Sequence, residues 1–246
     1  MAPKPTILFI HGAWHTPEYF NPVIDKLEKL DYPCCTVSLP SAGGNDSATA
    51  KDDAAVIRKK ISELVSDGKE VVLSMHSYGG IPGTMSAEGF LRQDREKEGN
   101  RGGVISLVYI AAFLLPEGSS LVSVLGMPPW IKVEGNRLTP TDPRKIFYND
   151  VPPHVADEYI SNLSFQALPS FESPLTYPAY QHIPVKYIAC ELDNSIPIAI
   201  QKEMATSGCS TPADIHYLKT GHSPMVNAPD EVVKIIQEAV EMAGKS

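Results

Sequence analysis

Three residues of this 246-residue chain, Ser77, Asp193 and His222, can together make a serine hydroxyl reactive. A serine hydroxyl is a weak nucleophile near neutral pH, so it needs an adjacent base, and the base needs an acid that orients it. Histidine is a suitable base and aspartate a suitable acid. Each of the three follows a short apolar run, so their meeting depends on where those runs lie in the fold.

The serine follows the clearest of these runs. Val71–Ser74 leads into His-Ser-Tyr-Gly-Gly at residues 76–80, and residues 81–91 can begin a helix. A serine at a strand-to-helix corner has an accessible side chain and a helix N-terminus behind it. The pattern approaches G-x-S-x-G, but Met75 stands where the first glycine is expected. The pentapeptide alone fits an ordinary turn serine equally well, so the other elements must decide.

Apolar runs alternate with helical patterns along most of the chain. Strands are predicted at residues 6–10, 34–39, 70–74, 104–112, 185–190 and 214–218. Helices are predicted at residues 17–30, 48–65, 81–91, 155–163, 197–206 and from residue 229 onward. This alternation specifies an α/β fold with a mostly parallel six-stranded sheet flanked by helices. Ligands bind at the carboxyl ends of such strands, where all three candidate residues are expected.

The alternation breaks down between the fourth and fifth strands, over residues 114–182. This segment is rich in proline and aromatic residues and too apolar for a disordered linker. We therefore predict a core of residues 1–113 and 183–246 with a cap insertion of residues 114–182. The insertion begins where the fourth strand ends, at the carboxyl edge of the sheet, so the cap is expected to cover that edge.

Other side chains compete for the roles of acid and base. Asp193 is the preferred acid, but Glu191 lies two residues before it and Glu117 follows the fourth strand, which is an alternative acid position. His222 is the preferred base because the remaining histidines precede the acid, lie on a strand or lie in the insertion. Those histidines are His11, His15, His76, His154, His182 and His216.

A tetrahedral intermediate would need two N–H donors for its oxyanion. One candidate is the backbone of Tyr78, directly after the serine. The other is the backbone of Ala13, in the loop after the first strand. Gly12, Trp14 and Trp130 are candidates for a substrate pocket, although each has an ordinary structural explanation as a turn glycine or a packed ring.

Composition limits the possible partners. The net charge is −8 and no basic run is present, so nucleic acid and membrane surfaces are not expected partners. Four cysteines lack the spacing of metal ligands, and no metal site is predicted. Buried free thiols and the absence of a signal-peptide pattern favour a cytoplasmic location. Whether the chain forms a homodimer stays open.

Four motifs together resemble the α/β-hydrolase superfamily, in the branch of plant-type methyl esterases, hydroxynitrile lyases and their microbial relatives. They are His-Gly-Ala-Trp-His at 11–15, His-Ser-Tyr-Gly-Gly at 76–80, Leu-Asp at 192–193 and Gly-His-Ser-Pro-Met at 221–225. The Ser…Asp…His chain order is also that of these enzymes. The resemblance implies an α/β-hydrolase fold, a cap over an apolar pocket, and no cofactor.

The function that follows is hydrolysis of a small hydrophobic ester or lactone by a serine enzyme. Lyases of the branch have a threonine in the oxyanion loop and a lysine after the catalytic histidine. Gly12 and Ser223 occupy those positions here, which argues against cyanohydrin cleavage. Some relatives use the same fold as ligand receptors or non-hydrolytic catalysts, and the sequence leaves that alternative open.

Overall fold

The computed structural model describes residues 3–209 and 212–244. Its strands, in chain order, are β1 (Thr6–Ile10), β2 (Cys34–Val37), β3 (Glu70–His76), β4 (Gly103–Ile110), β5 (Ile131–Glu134), β6 (Arg137–Pro140), β7 (Gln166–Ala167), β8 (Val185–Cys190) and β9 (Asp214–Leu218). Six of them form one sheet in the order β2-β1-β3-β4-β8-β9, with every neighbouring pair parallel. The predicted six-stranded parallel sheet is therefore confirmed.

The helices of the same described residues connect and flank these strands. In chain order they are α1 (Asn21–Glu28), α2 (Ala50–Ser66), α3 (Gly80–Ser86), α4 (Arg92–Lys97), α5 (Leu121–Leu125), α6 (Pro143–Phe147), α7 (Pro153–Ser161), α8 (Leu168–Glu172), α9 (Ile198–Ser207), α10 (Pro224–Asn227) and α11 (Pro229–Ala243). Within residues 3–209 and 212–244, no helix combines the length and apolar character needed to cross a bilayer.

Helices cover the sheet on both faces. In the sheet, β2 and β3 lie on opposite sides of β1. The connection from β1 to β2 contains α1, and the connection from β2 to β3 contains α2. Because such crossovers are right-handed, α1 and α2 lie on opposite faces of the sheet. α11 packs against α1, while α3 packs against α2. Because both faces are covered, β1 is fully buried and reads as a continuous apolar run.

Two predicted helices differ from those observed. The predicted helix 17–30 begins as a 3₁₀ turn over Pro17–Phe20 and becomes α-helical only at Asn21. The helix predicted to extend to residue 91 ends at Ser86, because residues 87–90 form a turn in which Gly89 adopts a φ of 74°. A left-handed residue at that point cannot continue an α-helix.

Between β4 and β8 the chain forms a separate small layer. β5, β6 and β7 make a three-stranded antiparallel sheet, accompanied by α5 to α8. Buried apolar side chains of this layer, such as Leu121, Ile131 and Leu138, belong to the same cluster as those of the main sheet. Gln166 in β7 also forms a β-bridge with Ala42, in the loop after β2.

Met75, the residue that departs from the expected glycine pattern, is accommodated by a glycine elsewhere. Its side chain is fully buried and lies against the backbone of Gly83 in α3. A Cβ added at Gly83 would lie 2.5 Å from the Met75 sulfur. The small residue that allows β3 and α3 to pack closely thus comes from the helix instead of the strand.

Gly83→Ala is expected to destabilise the protein, although alanine is the better helix former. Overpacking against Met75 should cost about 1–3 kcal/mol, which exceeds the gain in helix propensity of about 1 kcal/mol. Met75→Ala should itself cost about 2–5 kcal/mol, but the loss in Met75→Ala/Gly83→Ala should be smaller than the sum of the two single losses because the smaller side chain vacates the space. Urea unfolding of the wild type, both single variants and the double variant measures this coupling. A Gly83→Ala variant as stable as the wild type would contradict it.

Candidate active site

Ser77 lies at a sharp corner between β3 and α3. Its φ is 51°, in the left-handed region that non-glycine residues seldom adopt. Two glycines make the corner possible, because a Cβ on Gly79 would lie 2.5 Å from the His11 carbonyl oxygen and one on Gly80 would lie 2.4 Å from that of Phe113. The Phe113 N–H also donates to the Ser77 carbonyl at 3.0 Å. Close packing on both sides therefore holds the serine in a strained conformation.

The three candidate residues form a continuous hydrogen-bonded row. The Ser77 Oγ lies 3.0 Å from Nε2 of His222, and Nδ1 of His222 lies 2.7 Å from Oδ2 of Asp193. All three residues are buried, and the His222 and Asp193 side chains are almost completely so. Because an aspartate oxygen accepts the Nδ1 proton, Nε2 is left free to accept the serine proton.

The Asp193 carboxylate is held from several directions. Its Oδ1 accepts hydrogen bonds from the N–H groups of Ser195 at 2.7 Å and Ile196 at 2.9 Å. Its Oδ2 accepts a third, from the Gln201 amide at 3.1 Å. Gln201 is itself fixed, because its amide nitrogen donates to the Ile196 carbonyl and its oxygen accepts from the Cys190 N–H.

The competing acids do not take the place of Asp193. Glu191 and Glu117 both have exposed side chains, whereas the Asp193 carboxylate is buried against the His222 ring. Asp193 is therefore the carboxylate that the fold pairs with the His222 ring.

The loop after β1 packs directly against the serine. Gly12 has no room for a side chain, since a Cβ there would lie 2.9 Å from both the Ser77 Cβ and Nδ1 of His76. Ala13 follows and lines the same small cavity as Ser77 and Tyr78. The two residues predicted to offer N–H groups to an oxyanion thus both lie beside the hydroxyl.

A narrow cavity of about 40 Å³ opens beside Ser77. Its lining is mainly apolar and consists of Ala13, Trp14, Ser77, Tyr78, Phe113, Leu121, Leu125, Pro128, Trp130, Ile131, Phe171 and Ser195. Trp14 and Trp130 were predicted at the pocket and both line it, with ring centroids 5.8 Å apart. Gly12, also predicted there, packs behind the serine. A space of this size holds a few waters or a small acyl group, and a complete ester needs more room.

Three further histidines surround the row, and their partners fix two of them as neutral. His11 donates from Nδ1 to the Gly12 carbonyl, and its Nε2 accepts the Leu39 N–H at 3.2 Å. His15 donates from Nδ1 to the Ala13 carbonyl and accepts the Tyr148 hydroxyl at Nε2. Burial lowers the pKa of His11 to about 4 and the pKa of His15 to about 3.

His76 is the third of these histidines. Its Nε2 donates to the His222 carbonyl at 2.9 Å, and burial lowers its pKa well below the ordinary value. The neighbouring histidines thus place no positive charge beside His222 near neutral pH.

The inserted layer contributes contacts that the sequence did not reveal. Asn149 donates to the Leu192 carbonyl at 2.9 Å, beside Asp193. Asp150 accepts the Gly221 N–H at 2.5 Å, beside His222. The signal for these contacts in the sequence was the pair of adjacent polar residues, Asn149 and Asp150, within an aromatic segment. They attach the insertion to both loops that follow β8 and β9.

No group of three or more histidine, cysteine, aspartate or glutamate side chains within residues 3–209 and 212–244 is arranged to hold a metal ion. All four cysteines are free thiols, and burial raises the pKa of Cys35 and Cys209 to about 11.

Comparison with known proteins agrees with this geometry. Residues 7–235 match the alpha/beta hydrolase family, and the chain belongs to that family. It is 34% identical to the alpha/beta hydrolase nvfD of Aspergillus novofumigatus, with 96% of each chain covered. It is 23% identical to methylesterase 7 of Arabidopsis thaliana, with 95% of each covered. A pyrethroid hydrolase from Sphingobium faniae shares the fold, with a TM-score of 0.75, 21% identity and coverage of 98% and 99%.

The buried neutral histidines should make the protein less stable in acid. In the unfolded chain His11 takes up a proton near pH 6.5, whereas the folded protein resists protonation down to about pH 4. Its stabilisation is complete above pH 6.5 and is lost as the pH falls, on the order of 3 kcal/mol by pH 4. Unfolding free energies of the wild type and His11→Gln between pH 7 and pH 4 test this. His11→Gln should show a shallower decline, and equal slopes would contradict the assignment.

Proposed function

We propose that this hydrolase cleaves a small hydrophobic carboxylic ester or lactone through an acyl-enzyme formed on Ser77. The observation that supports the proposal most directly is the unbroken row from the Ser77 Oγ through His222 to Asp193, with distances of 3.0 and 2.7 Å. These are the contacts that a nucleophile, its base and an orienting acid require. The position of the row at the carboxyl edge of the sheet is also where ligands bind in this architecture.

The proposed reaction proceeds in two halves. Nε2 of His222 takes the hydroxyl proton as the Ser77 Oγ attacks the ester carbonyl, and Asp193 stabilises the imidazolium that forms. The Ala13 and Tyr78 N–H groups hold the tetrahedral oxyanion. The imidazolium then protonates the alkoxide as it departs as an alcohol, and the acyl group stays bonded to Ser77. Water, deprotonated by the same histidine, releases the acid and restores the serine.

Two positions support hydrolysis over cyanohydrin cleavage. Gly12 lies so close to Ser77 that a threonine side chain would not fit without displacing the serine. Ser223 is fully buried, donates to the Phe147 carbonyl at 2.6 Å and accepts from the Tyr19 hydroxyl. A lysine there would bring an unpaired charge into an apolar environment, at a cost of several kcal/mol.

The lining of the cavity favours an apolar substrate. Trp14, Trp130 and Phe171 form one aromatic cluster beside the serine, with Trp14 5.8 Å from each of the other two rings. We propose that residues 114–182 act as the cap that shapes this pocket and excludes water from the oxyanion. The similarity to a plant methylesterase supports a carboxylic ester as the substrate class.

Ser77→Ala should abolish ester turnover. Removal of a triad serine costs roughly 10⁶ in turnover, and Asp193→Asn should cost about 10⁴ because the histidine is left in the wrong tautomer. Hydrolysis of p-nitrophenyl acetate and butyrate by purified variants measures both effects, with Glu117→Gln as the matched acidic control.

Retention of most activity in Ser77→Ala would contradict the mechanism. A wild-type protein that binds esters without turnover would instead indicate a receptor.

Trp130→Ala should change substrate preference and leave the chemistry running. The ring lines the cavity, whereas the base that activates Ser77 is His222, so removal of the ring enlarges the pocket without touching the proton transfer. Specificity constants for acetate, butyrate and octanoate esters should therefore shift toward the longer chains. Equal losses on every ester, or no change, would place Trp130 outside the substrate pocket.

A further inference from the structure

A buried hydrogen-bond network lies beneath the proposed oxyanion hole and takes no direct part in the reaction. Asp53 of α2 is fully buried, and its Oδ2 accepts the Tyr78 hydroxyl at 2.6 Å and the Ser41 hydroxyl at 2.5 Å. Its Oδ1 accepts the Ser41 N–H at 3.0 Å. Burying a carboxylate costs desolvation free energy, and the three neutral donors bring no opposite charge to offset it, which is unfavourable for a purely structural contact.

The network continues into the inserted layer through Gln166. The Gln166 amide nitrogen donates to the Ser41 hydroxyl at 2.7 Å and to the Ser170 hydroxyl at 2.6 Å. These two acceptors fix the orientation of the amide, so its oxygen faces the other way and accepts the Trp14 N–H at 3.4 Å. Gln166 therefore joins the loop after β1 to the same network that holds Tyr78.

Trp14 needs such support because its backbone is strained. Its φ is 66°, a left-handed conformation that is unfavourable for a non-glycine residue and persists only where surrounding contacts impose it. Besides the Gln166 amide oxygen and the aromatic rings that pack on Trp14, the inserted layer binds Trp14 through two further hydrogen bonds. The Ser164 N–H donates to the Trp14 carbonyl at 3.0 Å, and the indole N–H donates to the Leu138 carbonyl at 2.8 Å.

The two ends of the network meet the two proposed oxyanion donors. Tyr78 itself provides one N–H, and Trp14 directly follows Ala13, which provides the other. Both segments are linked through Ser41, since its hydroxyl donates to Asp53 and accepts from Gln166. A shift of either donor by about 1 Å would weaken its bond to the oxyanion, which the transition state needs most.

We infer that Asp53 and Gln166 are positioning residues that set the spacing of the two oxyanion N–H groups. This inference rests on the proposed function and adds a role for the inserted layer beyond covering the pocket. Through Gln166 the inserted layer would form part of the oxyanion hole. The part of the layer that carries Gln166 would therefore stay in place when substrate enters the pocket.

Two variants each interrupt the network at one point. Tyr78→Phe removes only the hydroxyl and keeps the ring stacked on Phe171. Gln166→Met keeps the side-chain length and leaves the Trp14 N–H without its acceptor. Tyr109→Phe is the matched control, because it removes an equally buried hydroxyl that bonds to Thr84, away from the oxyanion loop.

The readout is affinity for a group that reproduces the oxyanion. An alkyl trifluoromethyl ketone forms a tetrahedral adduct with a reactive serine, whereas the matching methyl ketone reports ground-state binding. In Tyr78→Phe and Gln166→Met, kcat should fall about 10-fold, a fraction of the roughly 10²–10³ lost when a donor is removed outright. The trifluoromethyl ketone should weaken by the same factor, and KM and methyl ketone affinity should stay within about 2-fold.

The outcomes separate this inference from the proposed function. If the wild type reacts with the trifluoromethyl ketone but both variants bind it as tightly as the Tyr109→Phe control, the positioning role is wrong and the mechanism survives. Lower thermal stability with unchanged trifluoromethyl ketone affinity would also overturn the positioning role. If the wild type forms no adduct and turns over no ester, the proposed function fails and the inference fails with it. Should Tyr78→Phe not fold, Gln166→Met alone decides.

Discussion

The hydrogen bond between the His222 ring and the Asp193 carboxylate is the contact on which the rest of the site depends. Burying a carboxylate costs several kcal/mol unless its oxygens are paired. Here two backbone N–H groups and the Gln201 amide supply that pairing in addition to the histidine. With the carboxylate fixed, the imidazole has one orientation and one tautomer available to it. Its Nε2 then faces the Ser77 hydroxyl.

The parallel sheet makes this contact possible by bringing distant parts of the chain to one edge. Ser77 follows β3, Asp193 follows β8 and His222 follows β9, and all three strands end on the same side. The sheet alone fixes the strand ends and leaves the loops beyond them free to move. Bonds from Asn149 and Asp150 restrain the loops after β8 and β9, as Gln166 restrains the loop after β1. The inserted layer therefore contacts the loops that carry Asp193, His222 and Ala13.

The core of the fold was predictable from local patterns. The central strands of the main sheet are buried on both faces, so each reads as a short apolar run without any knowledge of its neighbours. The corner at Ser77 was predicted only with the help of the other strands, because His-Ser-Tyr-Gly-Gly alone fits an ordinary turn serine equally well. The Met75 departure was not interpretable from the sequence, since its compensation at Gly83 depends on how α3 packs against β3.

Apart from the helix predicted at residues 155–163, which is observed as α7 (Pro153–Ser161), the strands and contacts of the inserted layer could not be predicted, for a physical reason. Its strands β5 to β7 are two to four residues long, and their burial is set by contacts with the main sheet instead of by an alternating pattern. The Gln166 bond to Trp14 joins residues 152 positions apart, and no local signal indicates it. Asp53 in α2 reads as one more polar residue of an amphipathic helix until the fold places it beneath Tyr78.

Covalent labelling tests the central claim, that Ser77 is the nucleophile, most directly. The wild-type protein would be treated with a small serine-directed alkyl phosphonate, and its mass and peptide map would then be measured. We predict one phosphonyl group per chain, attached to Ser77, and no reaction once His222 is replaced by alanine. Labelling of another serine such as Ser74, or ester hydrolysis that continues while Ser77 stays unmodified, would contradict it.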